Sequence, residues 1–125
     1  MKREEYIDAM QPLLKKSLIR YAGNNKHIKI KFSKKGIAHI ANDVLTKKLG
    51  ISKAELSKLD NHLRDATYIK SSSLHKDRSD NVKRFYYFKD KSRNLYYNIA
   101  ESRVKLENGR ETIHRFLYSI TNNIK

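Results

Sequence analysis

The chain has no cysteine, which excludes disulfides, thiolate nucleophiles and every cysteine-based zinc site. Acid is scarce as well: 13 Asp and Glu stand against 28 Lys and Arg, a formal net charge of +15. An excess of that size favours a polyanionic partner, with nucleic acid first and an anionic membrane or acidic protein second. No apolar run approaches the ~20 residues of a spanning helix, and the opening MKREEYIDAM has no signal-peptide core, so a soluble chain is expected. The phosphate-loop, dinucleotide and zinc-protease patterns GxxxxGK[ST], GxGxxG and HExxH are all missing, and the histidines lack metal-ligand spacing. Neither a metal nor a cofactor is therefore expected. There is no internal repeat and no evident linker, and 125 residues with 38% hydrophobic content suit one domain with one core.

What is present changes period partway along. Tyr6, Ile7, Met10, Leu14, Leu18 and Tyr21 recur at helical spacing and predict a helical segment within residues 1–25, interrupted near the single proline, Pro12. KHIKIKF alternates Ile28, Ile30 and Phe32 against lysines as a short strand does. Ser33 is placed to cap a helix whose stripe is Ile37, Ile40, Ala41, Val44, Leu45 and Leu49, with Gly50 as its stop. Ser52 and Glu55 have capping-box spacing before Leu56, Leu59 and Leu63. From residue 66 the pattern alternates through ATYIKSSS, KRFYYFKD, NLYYNIAESRV and HRFLYSIT, with Asn108 and Gly109 as a hairpin turn. The expected fold class is α+β: N-terminal helices packed on one face of a four- or five-stranded antiparallel twisted sheet.

In a regular last strand Arg115, Ser119 and Thr121 share the open face, where they could clamp a phosphate, while Phe116, Tyr118 and Ile120 face the core. A bulge between Leu117 and Ser119 would divide that group. The alternative is a solvated edge arginine beside ordinary cross-strand hydroxyl pairs. His75, a candidate catalytic imidazole whose alternative is a solvated loop histidine, lies with Lys76 and Arg78 in a basic loop, and Lys29, Lys31, Lys34 and Lys35 suit a phosphate-tracking surface. Among the clustered aromatics, Tyr86 or Tyr96 could stack on bases. His39 borders an apolar stripe, so a half-buried core histidine is as natural as a reactive one. His114 is a further imidazole, whereas His27 and His62 read as surface residues.

GIAHIANDVL, LRDATYI, RFYYFKD, LYYNIAE and RFLYSIT, in that order, resemble the small ribonuclease toxins of the barnase, EndoU, colicin and RelE superfamily. The likeness is greatest to phage polyvalent-protein domains and to the C-terminal toxin modules of contact-dependent bacterial competition. It covers residues 27 to 124, so that 26–125 would be the ribonuclease domain. It implies metal-independent cleavage of RNA, with tRNA the expected substrate, by transesterification to a 2′,3′-cyclic phosphate. The family's helix histidine falls on His39 and its terminal hydroxyl pair on Ser119 and Thr121. A cognate acidic immunity protein, a host activator protein and action in the bacterial cytoplasm after delivery within a larger effector are further implications. The rival is a non-catalytic RNA- or DNA-binding module using the same basic surface.

Overall fold

In a computed structural model, residues 2–23, 26–73 and 82–123 are described; His75, Lys76 and Arg78 lie outside them. Helix α1 (Lys2–Met10) leads into a 3-10 turn (Gln11–Lys15), with Pro12 in its first turn. Strands β1 (Ser17–Tyr21) and β2 (His27–Lys31) follow, then helices α2 (Lys34–Lys47), α3 (Lys53–Leu56) and α4 (Leu59–Asp65). Four strands complete the chain: β3 (Thr67–Ser73), β4 (Val82–Asp90), β5 (Leu95–Lys105) and β6 (Glu111–Thr121).

The expected four- or five-stranded antiparallel sheet under N-terminal helices is wrong. Among the described residues six strands form one mixed sheet, ordered β1-β2-β6-β5-β4-β3 and curled into a half-barrel, with four helices. The mixed character comes from β2, which meets β6 in parallel through one pair, Lys31 with Phe116. Residues 17–21, expected to be helical, form an edge strand in which Leu18 turns inward and Ile19 outward. Leu14 and Leu18 are four apart and fit a helix too. The hairpin to β2 decides the matter, with all five β1 residues paired and Gly23 at φ +83° in the turn.

Helix α2 covers the edge of β6 that β2 leaves unpaired. A Cβ on Gly36 would overlap the Leu117 carbonyl oxygen, so only glycine lets helix and strand approach this closely. Two turns further on, the buried Asp43 carboxylate accepts from the Ile120 N–H (3.1 Å), replacing a missing ladder bond. Ser33 caps α2 by accepting from Gly36 N, and Ser52 and Glu55 form their capping box. The stop of α2 comes earlier than Gly50: Lys48 takes the left-handed conformation (φ 50°). Arg20 donates to the C-terminal carbonyls of α4, Leu63 and Arg64 (2.6 Å each), and lies over the Phe88 ring.

A single cluster of buried residues runs from Met10 and Leu13 through the hairpin and helices to Leu117 and Ile120. Among the described residues, no helix is long and apolar enough to cross a membrane.

Candidate nucleic-acid interface

The last strand is not regular. Asn98 pairs with Ser119 and Ile99 with Leu117, leaving Tyr118 as the extra residue of a bulge. Alternation resets there, so Arg115 shares the core-bearing face with Leu117 and Ile120, while Ser119 and Thr121 occupy the opposite face. The proposed trio of Arg115, Ser119 and Thr121 is therefore divided. Phe116 and Tyr118, expected in the core, are half-buried and outside the core cluster.

On the core-bearing face, Arg115 Nε donates to Glu101 Oε1 (2.8 Å). The Tyr86 hydroxyl donates to the same oxygen (2.8 Å) and accepts from Lys26 Nζ (2.8 Å), while Arg84 Nε stands 4.0 Å from Glu101 Oε2. Burial pushes the Glu101 carboxyl up. Hydrogen bonds from Tyr86 and Arg115, with the charges of Arg115 and Lys26, outweigh it and hold the group below the usual carboxylate range. Tyr86 is 1% exposed and cannot stack on a base as expected. Arg115 is held through Nε only, and its terminal nitrogens make no hydrogen bond among the described residues.

Arg115 also lines a cavity of about 340 Å³ with Lys31, Phe32, Ser33, Lys35, Ser102, His114 and Phe116. One guanidinium, two ammonium groups, an imidazole, two hydroxyls and two phenyl rings meet there, with no carboxylate in the lining among the described residues. Of the expected phosphate-tracking lysines, Lys31 and Lys35 enter this wall; Lys29 lies nearby in a smaller pocket that also includes Lys31 and Phe32, and Lys34 is exposed at the start of α2.

The opposite face carries two cross-strand rows: Ser72, Phe85, Ala100 and Phe116, then Lys70, Tyr87, Asn98 and Ser119. Tyr118 joins them through rings, 5.6 Å from Phe85 and 6.0 Å from Phe116. His39 lies against Tyr118 (4.5 Å between centroids), and its Nδ1 is 3.3 Å from Asp43 Oδ2. Asp43 thus ties the imidazole, Lys47 and the β6 backbone together. Tyr96 is half-buried with Lys89 4.2 Å over its ring. Ser119, 6% exposed, accepts from Asn98 Nδ2 (2.8 Å), and Thr121 receives a longer bond (3.4 Å) from the same nitrogen, so these hydroxyls are tied to Asn98.

Glu101, Asp43 and Asn98 were missed in the sequence. The signals were the parity of Leu95, Tyr97, Ile99 and Glu101 along β5, and the four-residue step from His39 to Asp43. His62, expected at the surface, is half-buried; its Nε2 is out of solvent and unpartnered among the described residues, and burial lowers its pKa. Among the described residues no group of three or more histidine and carboxylate side chains converges to hold a metal ion. No protein-family model, curated protein or solved structure matches the chain.

Proposed function

We propose that this chain is a metal-independent endoribonuclease that seats a backbone phosphate of RNA in the cavity beside β6. The observation that carries this reading is the basic cavity, which gathers Lys31, Lys35, His114 and Arg115 around one space. RNA transesterification needs a base for the 2′-hydroxyl proton, an acid for the leaving 5′-oxygen, and cations for charge on the phosphorane. Arg115 would clamp the phosphate with the terminal nitrogens that Glu101 leaves free. His114 would move a proton at the cavity wall, and His39, steadied by Asp43 and reached along the Phe116 and Tyr118 rings, would be the second proton carrier. The product would be a 2′,3′-cyclic phosphate, and tRNA is the first substrate to try. An acidic immunity protein would oppose the same cations.

One observation favours the rival, a non-catalytic RNA-binding module: among the described residues nothing hydrogen-bonds to the His114 ring to hold it in place for proton transfer. Incubation with bacterial RNA in EDTA, followed by end-group mapping, decides between them. Cyclic-phosphate fragments made by the wild type and lost in His114→Ala or Arg115→Ala support the enzyme. Intact RNA, both alone and with added lysate, together with salt-sensitive binding that Arg115→Ala weakens, supports the module.

A further inference from the structure

Beside the phosphate cavity, on the face of β6 that bears Phe116, lies a second cavity of about 170 Å³ lined by Phe85, Tyr87, Asn98, Tyr118 and Ser119. Building on the proposed RNA-binding role, we infer that this cavity reads a nucleobase: the rings of Phe85, Tyr87 and Tyr118 stack on it and the Asn98 amide hydrogen-bonds to its edge. Asn98 is 7% exposed and its Nδ2 is committed to Ser119 and Thr121, yet its Oδ1 is out of solvent and without a partner among the described residues. Turning the amide over would let the oxygen accept from both hydroxyls and would leave the nitrogen unpaired instead. Either way, one strong hydrogen-bonding atom lacks a partner, a costly state for a buried group unless a ligand supplies one.

The walls suit a flat, polar-edged ligand. Phe85 and Tyr87 project from the same face of β4 with rings nearly parallel, 26° apart and 6.2 Å between centroids. Tyr118 meets Phe85 edge to face. A base stacks on such rings whatever its sequence, so the rings supply affinity and Asn98 the choice among bases. Rotation of half-buried Tyr118, or of Tyr87 with release of its hydroxyl from Ser72 (3.0 Å), would bring the base edge to Asn98. Lys70, 6.0 Å over the Tyr87 ring, places a cation where a flanking phosphate would run. The Phe116 ring links this cavity to the phosphate site, since it lines the first cavity and contacts Tyr118.

The probes are 2′-O-methyl hexanucleotides of A, C, G and U and an abasic hexamer, none of which can be cut by transesterification. Fluorescence anisotropy should show at least about a tenfold spread in affinity among the four bases, with the abasic strand weaker than all of them. Asn98→Ala should collapse the spread while keeping salt-sensitive binding. Phe85→Leu, which leaves Asn98 in place, should weaken every base-bearing strand and leave the abasic one unchanged; it is the deciding variant if Asn98→Ala does not fold. No spread in the wild type, a spread unchanged in Asn98→Ala, or Phe85→Leu binding like wild type overturns the inference. Cleavage of ordinary RNA is run alongside: a base-dependent spread without cleavage removes the enzyme and keeps the base site, and cleavage without a spread does the reverse.

Discussion

Two buried carboxylates sit at opposite ends of the same sheet face, each hydrogen-bonded by a fully buried tyrosine and an arginine. Asp90 accepts from the Tyr97 hydroxyl (2.7 Å), Ser92 and Arg93, and Arg93 also donates to Glu55 (2.8 Å). Glu101 accepts from Tyr86 and Arg115, with Arg84 close by and Lys26 one bond behind. The chemistry is nearly the same, but the charge balance is not. Among the described residues, one cation is bonded to two anions at the Asp90 end, and three cations surround one anion at the Glu101 end. The first arrangement closes on itself and fastens the β4–β5 turn to α3. The second leaves positive charge over, and Arg115 carries it into the cavity wall. A surplus of this kind costs self-repulsion unless a polyanion such as the proposed RNA relieves it.

Removing the anion at the closed end should have the largest effect. Asp90→Ala strips Tyr97 and Arg93 of a buried partner and should cost about 3–5 kcal/mol by denaturant unfolding, while RNA affinity of the folded protein stays as it was. Next come paired arginine variants, chemically equal changes with different readouts. Arg115→Gln should weaken RNA binding about tenfold and lower the slope of log affinity against log salt by about one. Arg93→Gln should destabilise the fold and leave both quantities unaltered. Equal losses of affinity in the two variants would end the distinction between the clusters.

The smallest effect is in the pH dependence of stability. Asp90, Glu101 and Glu55 all lie below their ordinary pKa values. For Asp90 and Glu101 burial opposes the shift and hydrogen bonds outweigh it; for Glu55 the leading cause is the hydrogen bond from Arg93. Their contribution is full above about pH 4.5 and is lost as pH falls through the depressed folded values. His62 is lowered by burial and then by the charge of Arg93, so the unfolded chain takes its proton first and acid begins to erode stability below about pH 6.5. Thermal melts of His62→Gln should lose that upper, shallow decline and keep the steep one below pH 4.5.

Much of the secondary structure was legible, because burial on one face writes a period into the chain. The alternation of β4 to β6, the stripe of α2 and the Ser33 and Ser52 caps are local signals, and local signals can be read. Ser17 to Tyr21 misled because Leu14 and Leu18 satisfy two periods, and only pairing with residues 27–31 selects the strand. The parallel pair of Lys31 with Phe116 joins segments 85 positions apart and leaves no local trace. The site was harder still. One extra residue, Tyr118, moved Arg115 to the other face from Ser119 and Thr121, and parity alone could not reveal a bulge. Glu101 could have been placed by parity with Tyr97 and Ile99, but a lone acid in a strand gives no hint of its three cations.

Gly36 has a reach beyond its own contact. Lys35 of the cavity beside β6 precedes it, and His39, beside Tyr118, follows three residues later. With no side chain between α2 and the Leu117 carbonyl, a single point of contact sets the distance from both groups to β6. A methyl group there would act as a wedge, displacing ammonium and imidazole together though touching neither. The proposed phosphate grip and proton transfer would thus be geared to one shaft, and a substitution of that glycine should upset both together.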